Sequence, residues 1–141
     1  MRKKIISIML CCILLLSLMP ITTYAAVADP IVPMWDNTNT FTPILSFNGN
    51  TGSVTVTIVG KSGVSNITAN VKLYYKNSSG TWIKSVHEWD YDVDQMFLTI
   101  SESFIATPGR TYKIEVTATL TKNGVEEDIS ATHTATCPPS P

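Results

Sequence analysis

Three carboxylates alternate in Trp89-Asp90-Tyr91-Asp92-Val93-Asp94-Gln95. At this spacing Asp90, Asp92 and Asp94 could converge oxygen ligands on Ca²⁺. An EF-hand loop, however, needs Gly at its sixth position and Glu at its twelfth, and here those are Gln95 and Ser101. The expectation is a solvated acidic loop that also keeps a strand edge from pairing, with no metal site and these three Asp as weak candidates. His87 and His133 are the histidines of the chain. Ser85 lies near His87 on the same strand face, which is not a triad. A hydrolase also needs an orienting carboxylate and an oxyanion hole. Gly-x-Ser-x-Gly, His-Glu-x-x-His and Cys-x-x-Cys do not occur. No enzyme, no catalytic residue and no cofactor are expected.

Aromatic rings could do a different chemistry. Trp35, Trp82, Trp89, Tyr74, Tyr75 and Tyr91 offer flat apolar area with polar tips, which suits sugars as well as cores. Core and edge packing is the leading expectation. Tyr74 is the best platform candidate, because alternation places it opposite the core face. Asn66-Ile67-Thr68 and Asn77-Ser78-Ser79 match the glycosylation acceptor pattern on paper only.

The elements that would position these residues are strands. Period-two alternation runs through most of the chain after residue 40, with no helical period. Val54, Val56 and Ile58 share a face, with Thr55 and Thr57 opposite. Ile67, Ala69, Val71, Leu73 and Tyr75 form another apolar face, and Leu98, Ile100 and Phe104 continue one begun at Met96. The cleanest is Tyr112, Ile114, Val116, Ala118 and Leu120. Thr81 to Trp89 reads as a strand with mixed faces. Asn123-Gly124 is a hairpin turn, because both residues tolerate positive φ. It leads into a last strand with Ile129, Ala131 and Ala135 inward. An early strand near Phe41 to Phe47 contains Pro43, which places it at a sheet edge. About seven short strands with turns roughly every 8–12 residues predict an all-β, antiparallel two-sheet sandwich. A closed barrel is the rival arrangement.

The first residues predict export. Arg2, Lys3 and Lys4 precede an apolar run from Ile5 to Met19, Pro20 ends it, and small residues follow up to Ala28. That is the layout of a cleavable signal peptide, with a run shorter than the roughly 20 residues of a membrane span. Residues 1–25 are expected to be the signal (cleaved after Ala25, or after Ala28), 26–38 an N-terminal arm, 39–136 the sandwich and 137–141 a Pro-rich tail. No stable membrane anchor is expected afterwards, so the product is free in the medium or loosely associated with the cell wall. Cleavage leaves seven Lys plus Arg against eleven Asp plus Glu. A mildly acidic domain is a poor partner for nucleic acid or anionic membranes. Cys11 and Cys12 leave with the signal, and Cys137 is left alone before Pro138-Pro139. Its reading is an unpaired thiol on a loose tail, with a disulfide-linked dimer as the alternative.

The stretch from Pro108-Gly109 through Tyr112 to Ala118 resembles the fibronectin type III and immunoglobulin-like group, in which a Pro-Gly turn leads to a Tyr and then an alternating strand. The resemblance implies that Tyr112 is a corner tyrosine, its hydroxyl bonded back to the preceding loop. The Trp of the early strand and the antibody-type Cys pair are missing. Met34-Trp35, Gly60 to Gly63, Gly80-Thr81-Trp82, Tyr112 to Thr119 and Asn123-Gly124 together make the chain similar to small secreted proteins of Gram-positive bacteria. That group carries no assigned function, so the likeness implies a fold and no chemistry. The expected role is a non-catalytic binding or structural module for a protein or glycan partner outside the cell. The alternative is a carbohydrate-binding module assisted by calcium.

Overall fold

A computed structural model of the chain describes residues 35–139. The expected signal and the first part of the arm lie outside the described residues. Seven strands follow one another: β1 Thr38–Asn48, β2 Thr51–Gly60, β3 Val64–Lys76, β4 Trp82–Val93, β5 Phe97–Ile105, β6 Thr111–Lys122 and β7 Val125–Thr136. No helix occurs among the described residues. All pairing is antiparallel. One sheet has the order β1-β2-β5, the other β4-β3-β6-β7. The strands form two open sheets, so a closed barrel is not what the chain makes.

Pleating explains the layers. Successive side chains leave a strand on opposite faces, and β2 alternates without a break between buried and part-exposed positions. Val54, Val56 and Ile58 of β2 meet Ile67, Val71 and Leu73 of β3, Ile100 of β5, and Ile114, Val116 and Leu120 of β6 in one core, all at most 1% exposed. Each such side chain contributes on the order of 1.5–3 kcal/mol by leaving water. Met96 falls outside the apolar face predicted for it. It precedes β5 and is 42% exposed.

The turns obey local sterics. Asn123 and Gly124 have φ of 53° and 77° and join the paired residues Lys122 and Val125, which is the two-residue loop expected there. Gly52 answers a close approach instead: a Cβ on it would lie 2.3 Å from Cζ of Phe104, its cross-strand partner.

At the open end of the core, Phe47, Phe104 and Tyr112 form an aromatic triangle, with ring centroids 5.3–6.1 Å apart. The Tyr112 hydroxyl accepts the N–H of Thr107 at 2.8 Å. The corner contact that the resemblance implied is therefore present.

Three polar contacts tie the sheet margins together. Glu127 of β7 points inward and clasps the segment before β1: its carboxylate accepts the N–H of Asp36, the N–H of Asn37 at 3.0 Å and the hydroxyl of Thr38 at 2.7 Å. The end of the expected arm, Trp35 to Thr38, is thus part of the domain. Nδ1 of His133, also on β7, accepts the N–H of Leu45 at 3.1 Å. On the opposite margin the Tyr91 hydroxyl of β4 donates to Oε1 of Glu102 of β5 at 2.5 Å.

Replacing Tyr112 by Phe leaves the Thr107 N–H without its partner and should cost about 1–2 kcal/mol of unfolding free energy in denaturant titration. A loss below a few tenths would show that the corner contributes nothing. Two margins should also set the pH range of stability. Burial alone would raise the Glu127 carboxyl, but the hydroxyl of Thr38 and the N–H groups of Asp36, Asn37 and Thr38 outweigh it and hold it below the ordinary 4.5. Its contribution is present above that value and is lost as pH falls through the folded-state pKa. Burial first, then the bond to Glu102, pushes Tyr91 from 10.0 to about 12. Its contribution is complete below pH 10 and is lost as pH rises through about 12. Melting temperatures across pH should therefore fall at both ends, with Glu127→Gln shrinking the acid arm and Tyr91→Phe the alkaline one.

Candidate functional site

The outer face of the four-stranded sheet is the one that collects polar chemistry. Even-numbered residues of β3 from Asn66 onward and of β4, odd-numbered residues of β6 and even-numbered residues of β7 share this face, as the registers require. Two rows run across it: Asp92, Thr68, Thr119 and Asp128, then Asp90, Asn70, Thr117 and Ser130. The inner members are short, three of the four outer ones (Asp90, Asp92 and Asp128) carry carboxylates, and the middle of the face is a shallow open depression of about 550 Å³. Its floor is hydroxyl and amide, and its rims are acidic. The Thr119 hydroxyl donates to Oδ1 of Asp128 at 2.6 Å.

The acidic run behaves differently from its expectation. Asp90 and Asp92 lie on strand β4, and only Asp94 falls in the bend after it. The expected loop is a paired strand because Trp89, Tyr91 and Val93 bury the opposite face. The outward carboxylates are held by asparagines of β3. Asn66 donates to Oδ1 of Asp92 at 2.7 Å and of Asp94 at 3.1 Å. Asn70 donates to Oδ1 of Asp90 at 2.7 Å and to Glu88 at 3.0 Å. Among the described residues, no three His, Cys, Asp or Glu side chains gather as a metal-binding group. Glu88 also accepts from Lys84 at 2.7 Å, and that bond, followed by the one from Asn70, lowers its pKa below the ordinary carboxylate value.

The aromatic residues divide. Trp35, Tyr75, Trp89 and Tyr91 pack against the core, as the leading expectation had it. Tyr74 and Trp82 stand on the same outer face, outside the depression and beyond the row of Lys72, Glu88 and Glu115. Their rings are already engaged: Nζ of Lys113 lies 4.8 Å from the Tyr74 centroid and 5.2 Å from that of Trp82, and Nζ of Lys76 is 5.7 Å from Trp82. A sugar would have to displace a cation from each ring face, at a cost of about 0.5–1 kcal/mol per contact.

The histidines are used structurally. His87 stacks on Trp89 at 5.6 Å, and its backbone N–H, not its ring, meets the Ser85 hydroxyl at 3.3 Å. His133 is the acceptor for Leu45 described above. Ser85, His87 and His133 form no relay. Cys137 corrects its expectation too. It is fully buried, and its thiol donates to the carbonyl of Gly49 at 3.4 Å. Backbone bonds of Cys137 with Arg110 and Gly109 hold the segment in place, so the thiol is a core group and not the end of a loose tail. A disulfide to a second chain through this sulfur would require the segment to come out.

The sequence reading passed over Thr117, Thr119, Ser130 and Asp128. Their signal was available in part: in β6 the outward positions opposite the cleanest apolar face include Thr117, Thr119 and Thr121. What was missing was strand order, which sets Asn70 and Ser130 beside them. No known protein-family model matches the chain, and a search of curated proteins gives no match.

Proposed function

We propose that this chain is an exported, non-catalytic binding module on an immunoglobulin-like, fibronectin type III-like sandwich, and that the outer face of the four-stranded sheet takes its ligand. The split of strands into β1-β2-β5 and β4-β3-β6-β7, together with the Tyr112 corner, supports the subclass. The charged head and short apolar run of residues 1–25 support export. The motifs from Met34-Trp35 to Asn123-Gly124 support kinship with small secreted proteins of Gram-positive bacteria.

One observation carries the functional reading. The depression holds hydroxyl, amide and carboxylate groups on rigid strands, while Ser85, His87 and His133 are occupied elsewhere. Such a face can hold a ligand by hydrogen bonds, and we read its Thr119–Asp128 pair as part of that binding floor, since a hydroxyl and a carboxylate alone do not make a catalytic relay. Acidic rims select a ligand with cationic or hydroxyl groups. The cations seated on Tyr74 and Trp82 disfavour stacking, so the carbohydrate-binding alternative has to rest on hydrogen bonds alone.

The test is a nuclear magnetic resonance titration of the chain from residue 26, with a lysine-rich peptide in one arm and a neutral oligosaccharide in the other. Amides of Asn70, Thr117, Thr119 and Ser130 should shift, and Thr117→Trp, which fills the depression, should abolish the shifts. Silence of this face to both ligands up to about 1 mM would reject the reading. Export is checked on the protein recovered from the medium, whose first residue should be Ala26 or Asp29.

A further inference from the structure

The sheet edges are treated unequally. In β1, Pro43 has no N–H to offer, the Leu45 N–H is taken by His133, and Glu127 clasps the entry. β4 carries a register irregularity between its pairs with Lys72 and Tyr74, and a row of charges. β5 has neither an irregularity nor an outward charge; its one charged residue, Glu102, points inward and is held by Tyr91. It pairs with β2 without irregularity, and no strand pairs its other edge among the described residues. Gly60 N–H donates to the Met96 carbonyl and Ala106 N–H to the Asn50 carbonyl, both at 2.7 Å. Even-numbered residues of β5 therefore turn their backbone groups toward β2. By alternation, Phe97, Thr99, Ser101, Ser103 and Ile105 turn theirs to the open edge. All five are exposed and uncharged, with Phe97 at 58% and Ile105 at 76%. A regular edge with large apolar side chains is what soluble proteins ordinarily blunt.

We propose that β5 is a dimerisation strand that pairs antiparallel with β5 of a second copy about a two-fold axis at Ser101. The strand is self-complementary in that register. Phe97 faces the partner's Ile105, Thr99 faces the partner's Ser103, and Ser101 faces the partner's Ser101. These are the odd-numbered residues, so each pair exchanges free backbone hydrogen bonds. Sliding the axis to Thr99 or Ser103 leaves one of the two exposed apolar residues unopposed. On the inner face Leu98 meets the partner's Phe104. Glu102, held by Tyr91, meets the partner's Ile100, with the two Glu102 diagonal to each other at roughly 7–8 Å.

The outward residues of two such edges also meet without like charges. The chain after the signal is acidic, yet the outward residues of β1, β2 and β5 carry no charge. Two copies joined at β5 extend this neutral face; the acidic residues of β4, which lies at the same margin, point to the outer side of the other sheet and away from the pairing strands. The contact is small. β5 has nine residues, about 30 Å of strand, and a depth of about 10 Å gives a footprint of roughly 300 Å² per copy. A standard interface buries about 800 Å² per partner, so the dimer is weak, with a Kd on the order of 100 µM or above. The interface is isologous and uses up both β5 edges, so assembly stops at two.

Sedimentation equilibrium of the chain from residue 26, with reductant present and loading raised to about 1 mM, should give a monomer–dimer equilibrium. Ser101→Lys sets like charges face to face at the axis and should weaken it about tenfold or more; Thr132→Lys on β7 should leave it unchanged. Ser101→Cys, mildly oxidised, should cross-link into dimers faster than Thr132→Cys, which keeps the test open if the lysine variant fails to fold. A species that stays monomeric at the highest loading overturns the proposal. So does a dimer that ignores Ser101→Lys, or one that reductant dissolves, which would point to Cys137. Ligand binding by the four-stranded face is not involved in any arm.

Discussion

Pleated backbone leaves a side chain no choice of layer. Once the register of β2 against β1 and β5 is set, Val54, Val56 and Ile58 must all enter the same interlayer space. They are stable there only if the facing sheet supplies Ile67, Val71, Ile114 and Val116 in return. A slip of one residue would exchange these for Thr55 and Thr57. The tight end of the core shows how little latitude remains, since the Phe104 ring occupies the space where a Cβ on residue 52 would go. The rest of the domain rests on this interlayer match, including the flat polar exterior.

The same rule makes the exceptions informative. Glu102, Glu127, His87 and His133 occupy inward registers where an apolar side chain would be routine. All sit at sheet margins, where a polar atom can bridge to something beyond its own sheet. Glu127 and His133 fasten β7 to β1 and its approach. Glu102 takes the hydroxyl of Tyr91 across the other margin. Such groups pin two layers that pair with each other nowhere through their backbones. They do so with directional bonds that need a particular register on both sides.

Alternation was readable from residues alone, and so were the apolar faces of β2, β3 and β6, the Asn123-Gly124 turn and the edge position of Pro43. Each depends on near neighbours in the chain. The inward charges were not readable, because what makes Glu127 tolerable is a cluster of N–H groups some 90 residues away in sequence. Cys137 failed for the same reason: beside Pro138 and Pro139 it looks like tail, and only the hairpin at Gly49 makes it core. Asp90 and Asp92 were misplaced in a loop because their charge outweighed the apolar alternation of Trp89, Tyr91 and Val93 between them. The candidate face was half legible. Its threonines could be placed on an outward side, but their neighbours follow from strand order, which has no local signature.

The clasp at Glu127 also has a meaning in time. The beginning of the domain is fastened by residues near its end: Asp36 to Thr38 by Glu127, Leu45 by His133, and the Gly49 hairpin by Cys137. A ribosome or a secretion channel delivers the chain from its first residue onward. Until the last strand has emerged, β1 and β2 have no lid on that margin and the domain cannot close. A domain built this way stays unlocked, and threadable, until β7 and Cys137 are free.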